Sequence, residues 1–157
     1  MGYSSHPPAF REEFAQKPWT GEGTTLAREH PEFYATDASG RRRGQPGYSY
    51  GHPDMCVSNP DLHRFILEKV WDGTGTLRLG QVNTIQYCHC TRCMAWDGPQ
   101  PQPDEIPGFE RGAYGPRAIS YRYARFWKTV HELAAKRNPI TKTTVLMYQR
   151  TLTAPGA

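Results

Sequence analysis

No stretch of this 157-residue sequence approaches the roughly 20 consecutive apolar residues that a membrane-spanning helix needs, so no transmembrane segment is expected. The start lacks the charged-then-apolar order of a secretory signal, and routine secretion is not expected. Met1-Gly2-Tyr3-Ser4-Ser5-His6 misses the myristoylation pattern, because its sixth position is His rather than Ser or Thr. Pro7 and Pro8 interrupt any amphipathic transit helix. Catalytic signatures are missing as well: the chain has no Gly-rich phosphate loop, no His-Glu-x-x-His and no nucleophile elbow. Asp104-Glu105 lies in a proline loop and is expected to be solvated.

Apolar residues are scarce, at 37% of the chain, against 15 glycines and 14 prolines. Such a chain has less material than usual to offset the entropy of ordering its backbone. It is not a disordered composition, since aromatics make up 12% and no segment is repetitive. Length indicates one domain, or one small domain with an extended arm. The net charge of +4 permits contact with an acidic protein face, anionic lipid or RNA without marking a nucleic-acid patch. Arg41-Arg42-Arg43, the densest basic run, is expected at a solvated loop tip.

Residues 1–57 show no sustained hydrophobic period and are expected to form a long irregular arm. One short helical turn fits Pro8 to Gln16, with Phe10 and Phe14 on one face. Turn signals then alternate with aromatics, and Trp19, Phe33, Tyr34, Tyr48 and Tyr50 are expected to anchor the arm in pockets of other protein subunits. Residues 58–157 are expected to be a small α+β domain. Its first helix runs over 58–73: Ser58 or Asn59 caps it, Pro60 and Asp61 suit its first turn, and Gly73 stops it. Leu62, Phe65, Ile66 and Val70 form its apolar face, with His63 expected on the surface flank.

Thr76 to Tyr87 reads as strand, with Leu77 and Leu79 alternating with polar neighbours and a bulge or turn near Gly80 to Asn83. Pro99, Pro101, Pro103 and Pro107 predict a semi-rigid polyproline linker over 98–108. The spacing of Ile119, Tyr123, Phe126, Val130 and Leu133 predicts a second amphipathic helix from Pro116 or Arg117 to about Asn138, with Trp127 and Ala134 widening its apolar stripe. Its other face carries Arg122, Arg125, Lys128, Lys136 and Arg137, a surface suited to solvent or to anionic lipid or RNA. A β-branched strand follows over Thr141 to Leu152. The expected fold is therefore α+β: two amphipathic helices on a small antiparallel sheet, preceded by the irregular arm.

The chemistry is concentrated in Tyr87-Cys88-His89-Cys90-Thr91-Arg92-Cys93, which holds three of the chain's four cysteines. Thiolates at C-x-C-x-x-C spacing converge within one turn, the geometry that tetrahedral Zn²⁺ requires. The fourth ligand must come from elsewhere. Cys56 is the remaining cysteine, and His52, His63, His89 and His131 are the other candidates. A Cys56, Cys88, Cys90, Cys93 site would be a structural zinc tying the first helix to the end of the strand. A disulfide, Cys90 with Cys93 or Cys56 with one of the three, is the rival, and buried free thiols are the third possibility. Met94 follows Cys93 where a c-type haem motif needs His, so that site is excluded.

Over about fifteen residues, this string and the strand before it resemble the Cys-His-Cys-x-x-Cys signature of the glutathione-dependent formaldehyde-activating enzyme and centromere protein V family. The resemblance implies a β-rich fold, zinc at Cys88, Cys90 and Cys93, and thiol-adduct chemistry. Composition and the aromatic arm point instead to a non-catalytic accessory subunit of a large assembly. A peripheral subunit of a mitochondrial respiratory complex, associated with the inner membrane, is the first expectation. A mitoribosomal protein or a microtubule-lattice protein of the axoneme, with a cytoplasmic or axonemal location, comes next. A small zinc-dependent thiol-adduct enzyme is the alternative of a different class.

Overall fold

A computed structural model describes residues 29–42, 55–79, 87–98 and 120–145. The expected turn at 8–16, Trp19, Tyr48, Tyr50, the bulge near 80–83, most of the proline linker and the end of the last strand lie outside the described residues.

The first described segment contains a 3₁₀ turn, Pro31–Phe33. It runs through Tyr34 and Thr36, which make isolated antiparallel bridges to Met55 and Arg42. The tight loop between Thr36 and Arg42 is closed by Asp37, whose Oδ1 accepts from the Ser39 amide, the Ser39 hydroxyl and the Arg41 amide at 2.9, 2.7 and 3.0 Å. Gly40 sits in it at φ 84°, a conformation that side chains with a Cβ resist. Arg42 does not sit at a solvated tip. Its Nη1 donates to the carbonyls of Glu32 and Tyr34 at 3.2 and 3.0 Å.

Helix α1, Pro60–Phe65, begins where the sequence indicates: the Asn59 side chain accepts from the Asp61 amide, and Pro60 opens the first turn. It then widens into a π-helical turn, Ile66–Val70, with the Trp71 amide bonded to the Ile66 carbonyl at 2.8 Å. The freed Leu67 carbonyl accepts from Arg137 Nη1 at 2.9 Å. Strand β1, Thr76–Leu79, buries Leu77 and Leu79 and exposes the alternate residues, as its period of two requires. A short helix α2, Thr91–Met94, follows the cysteine-rich turn. Helix α3, Ser120–Arg137, leads to strand β2, Lys142–Val145.

The two strands pair in parallel, Thr76 with Lys142 through Leu79 with Val145, which corrects the antiparallel sheet expected from the sequence. The reason lies in the connection. Antiparallel neighbours can be joined by a hairpin, whereas here the chain returns through α3, which packs on both strands, and a helical crossover restores the strand direction.

Tyr123, Phe126, Val130 and Ala134 of α3 share one core with Leu62, Ile66, Leu67, Leu77 and Leu79. Phe33, Tyr34, Ala35, Cys56 and Val57 belong to the same core, so it crosses the boundary expected at 57/58. Phe33 and Tyr34 are therefore buried within the chain rather than presented to a partner, with Phe33 packed against the Phe65 ring at 5.3 Å. No helix among the described residues is long and apolar enough to cross a membrane.

Candidate metal centre

Three backbone segments that are distant in sequence meet at the cysteines. Thr36 is the hub: its carbonyl accepts from the His89 amide at 2.8 Å, while two residues earlier Tyr34 bridges to Met55. The Cys56 amide donates to the Phe33 carbonyl at 2.7 Å. The 29–42 segment thus lies between the Cys56 loop and the Cys88 loop and sets their separation.

The Sγ atoms of Cys56, Cys88, Cys90 and Cys93 all lie within 4.8 Å of one another and could hold a metal ion. Cys56 Sγ is 3.6 Å from Cys90 Sγ and 3.8 Å from Cys93 Sγ. With Zn–S bonds of about 2.3 Å, a regular tetrahedron places its sulfurs about 3.8 Å apart, so these separations need little adjustment. All four cysteines are free thiols rather than disulfides. Cys56, Cys88 and Cys93 are buried, and Cys90 is half-buried.

Thiolate sulfurs in such a site need donors around them, and this chain supplies several. Cys88 Sγ faces the Thr36 amide and the Thr36 hydroxyl, each at 3.4 Å. Ser58 Oγ lies 3.0 Å from Cys93 Sγ, and the Cys93 amide donates to Cys90 Sγ at 3.4 Å. The sulfurs also perturb one another. Contacts with Cys56 and Cys93 hold the Cys88 thiol well below its ordinary pKa, helped by Thr36. Cys56 is pushed up by its bonds to Cys88 and Cys93 and by burial. Cys93, lowered by Cys56 but raised further by Cys88 and burial, is pushed up to about 12. The cluster alone therefore favours one thiolate and resists a second, because like charges buried together repel. A divalent cation removes that conflict, and the donor set fits a thiophilic metal.

Behind the cluster lies a buried ion pair. Arg122, only 1% exposed, donates from Nε and Nη2 to both Asp97 carboxylate oxygens at 2.7 and 2.6 Å. Its Nη1 donates to the Cys88 carbonyl at 2.7 Å, and its guanidinium lies 5.4 Å from the Tyr87 ring centre. Burial opposes the Arg122 charge, and the Asp97 hydrogen bond and charge more than offset it, leaving its pKa above the ordinary value. Arg122 therefore does not belong to the solvent- or lipid-facing side of the helix on which its spacing places it, because its guanidinium is committed to the interior. Arg125 and Lys128 are exposed.

His63 is likewise buried, not on the surface, and it is not among the side chains gathered at the thiol cluster. Its Nε2 donates to the Val57 carbonyl at 2.7 Å, bracing the residue after Cys56, and its ring lies 5.5 Å from that of Phe126. Desolvation pulls its pKa below 6.5, so it is neutral at pH 7. The unfolded chain then binds more protons than the folded one, and stability contributed above pH 6.5 is lost as pH falls through the folded value. Urea unfolding from pH 8 to 5.5 should show the wild type losing more stability than His63→Gln, whose amide can still donate to Val57. Equal losses would show that His63 does not titrate in this way.

The sequence marks all four thiols, offers Ser58 only as a helix cap and His63 only as a candidate ligand, and gives no sign that Thr36, Asp97 and Arg122 belong to the site. A basic residue on a helix reads as solvated, and only its position beside the apolar residue Tyr123 hints at burial.

A family model described as a domain of unknown function (DUF4838) matches residues 14–157. No curated protein and no solved structure matches the chain.

Proposed function

The chain belongs to that family, and within it we propose that this chain is a non-catalytic structural module clasped by one Zn²⁺ on Cys56, Cys88, Cys90 and Cys93. The observation that carries the reading is the convergence of four sulfurs from two separated loops to within 4.8 Å of one another, with two of the separations at 3.6 and 3.8 Å. Four protein ligands close the coordination shell, whereas catalytic zinc keeps a position open for water or substrate. Bound there, the metal would supply neutralisation of the buried thiolates and a cross-link between the start of α1 and the turn before α2. Thr36, Ser58 and the Cys93 amide would hold the sulfurs in place through hydrogen bonds.

A role as a part of a larger assembly is supported by the sheet. Parallel sheets are ordinarily covered on both faces, yet among the described residues β2 is largely exposed, with Val145 at 40% and the preceding Ile140 at 77%. The test is metal content. Protein purified without chelators and analysed for metals should carry one zinc per chain, and Co²⁺ substitution should give the thiolate charge-transfer and d–d bands of a tetrahedral tetrathiolate site. Metal-free protein that remains folded and takes up neither ion would overturn the reading.

A further inference from the structure

The four sulfurs are not equivalent. Cys56, Cys88 and Cys93 are at most 2% exposed, while Cys90 is half-buried. Cys88 is screened by two groups of Thr36, and Cys93 by the Ser58 hydroxyl at 3.0 Å. Cys90 has a single amide donor, from Cys93 at 3.4 Å, and the Ser58 oxygen lies 3.9 Å away. Hydrogen bonds withdraw electron density from a thiolate, and burial blocks approach to it, so nucleophilic reactivity follows access and charge at sulfur.

We infer that Cys90 is the modification site of this protein, the one ligand through which soft electrophiles of the α,β-unsaturated carbonyl class open the clasp. The inference rests on the zinc reading given above. Cys90 is suited to the reaction because it is the least buried of the four cysteines, so an electrophile reaches it before the other three. Its electron pair forms a sulfur–carbon bond to the β-carbon of the electrophile. The alkene π pair moves onto the carbonyl as an enolate, which takes a proton from water. No leaving group departs and no oxidant or reductant is consumed. The resulting thioether is neutral and a poorer ligand than the thiolate, so modification weakens the site and favours metal release. Cys56, whose sulfur lies 3.6 Å from that of Cys90, then loses the bridge between its loop and the α2 turn.

The experiment uses the full chain loaded with zinc, its metal content measured beforehand, and N-ethylmaleimide as the probe. Quenching at low conversion and mapping peptides by mass spectrometry should place the first adduct on Cys90, with zinc loss read by a chromogenic chelator rising in step with it. Cys90→Ser should lose the fast adduct. If that variant does not fold, the order of modification in the wild type still decides the matter. A first adduct on Cys56, Cys88 or Cys93, an even spread over the four, or no adduct until zinc is stripped would overturn the proposal. A chain that neither carries nor takes up zinc overturns the metal reading instead, and the prior metal measurement tells the two failures apart.

Discussion

Stripping zinc from the protein with a strong chelator is expected to abolish its cooperative unfolding transition, and Cys56→Ser is expected to approach the same state without a chelator. Structural zinc contributes about 10–16 kcal/mol in small peptides, comparable with or larger than the roughly 5–15 kcal/mol total stability of a domain. Cys56 is the ligand whose loss separates the two halves of the clasp, because Cys88, Cys90 and Cys93 lie on one continuous turn. Without it, the 55–59 loop is tied to that turn only by weaker contacts, such as the Ser58 hydroxyl near Cys93. Zinc affinity of Cys56→Ser, measured by chelator competition, should fall by more than the roughly 10–100-fold that removal of an outer-shell partner costs. Circular dichroism and urea unfolding of the apo and zinc-loaded proteins would check the stability claim. Unchanged unfolding after complete metal removal would show that the core holds the fold by itself.

Arg122→Met is expected to be the second most damaging change, at about 3–5 kcal/mol, because it leaves the Asp97 carboxylate buried without its counter-charge. The cost should be mostly that of the orphaned charge rather than of a lost contact. Arg122→Met combined with Asp97→Leu should therefore recover much of the loss, since an apolar pair of similar volume needs no compensation. The Cys88 carbonyl stays without its donor in both variants. Zinc affinity should thus remain reduced in the double variant even where its urea stability recovers. Arg122→Lys should do worse than its charge suggests, because an ammonium cannot fork across both Asp97 oxygens and still reach the Cys88 carbonyl. A double variant as unstable as Arg122→Met would remove the orphaned-charge explanation.

The metal loop is joined to two helices that are far apart in the sequence. Cys56 ties it to α1, and Arg122 ties it to α3.

Local physics was legible in the sequence by itself. The Asn59 cap and Pro60 mark the start of α1, the alternation of Leu77 and Leu79 marks β1, and the four-and-three spacing of Tyr123, Phe126 and Val130 marks α3. The cysteine spacing likewise marked the four thiols that the fold gathers, because ligands on one turn have few ways to be arranged and a single cysteine remained. What only the tertiary structure decided depends on segments far apart in the chain. Strand direction depends on whether the connection is a hairpin or a crossover, which period and propensity do not encode. The burial of Arg122 depends on Asp97, twenty-five positions away, and on a carbonyl at Cys88, and no helical pattern distinguishes a guanidinium facing water from one facing a buried carboxylate. Phe33 and Tyr34 were aromatic in an irregular stretch and so read as anchors for a partner, yet they fill this chain's own core. A hydrophobic ring indicates that it will be covered, and only the folded chain specifies by what.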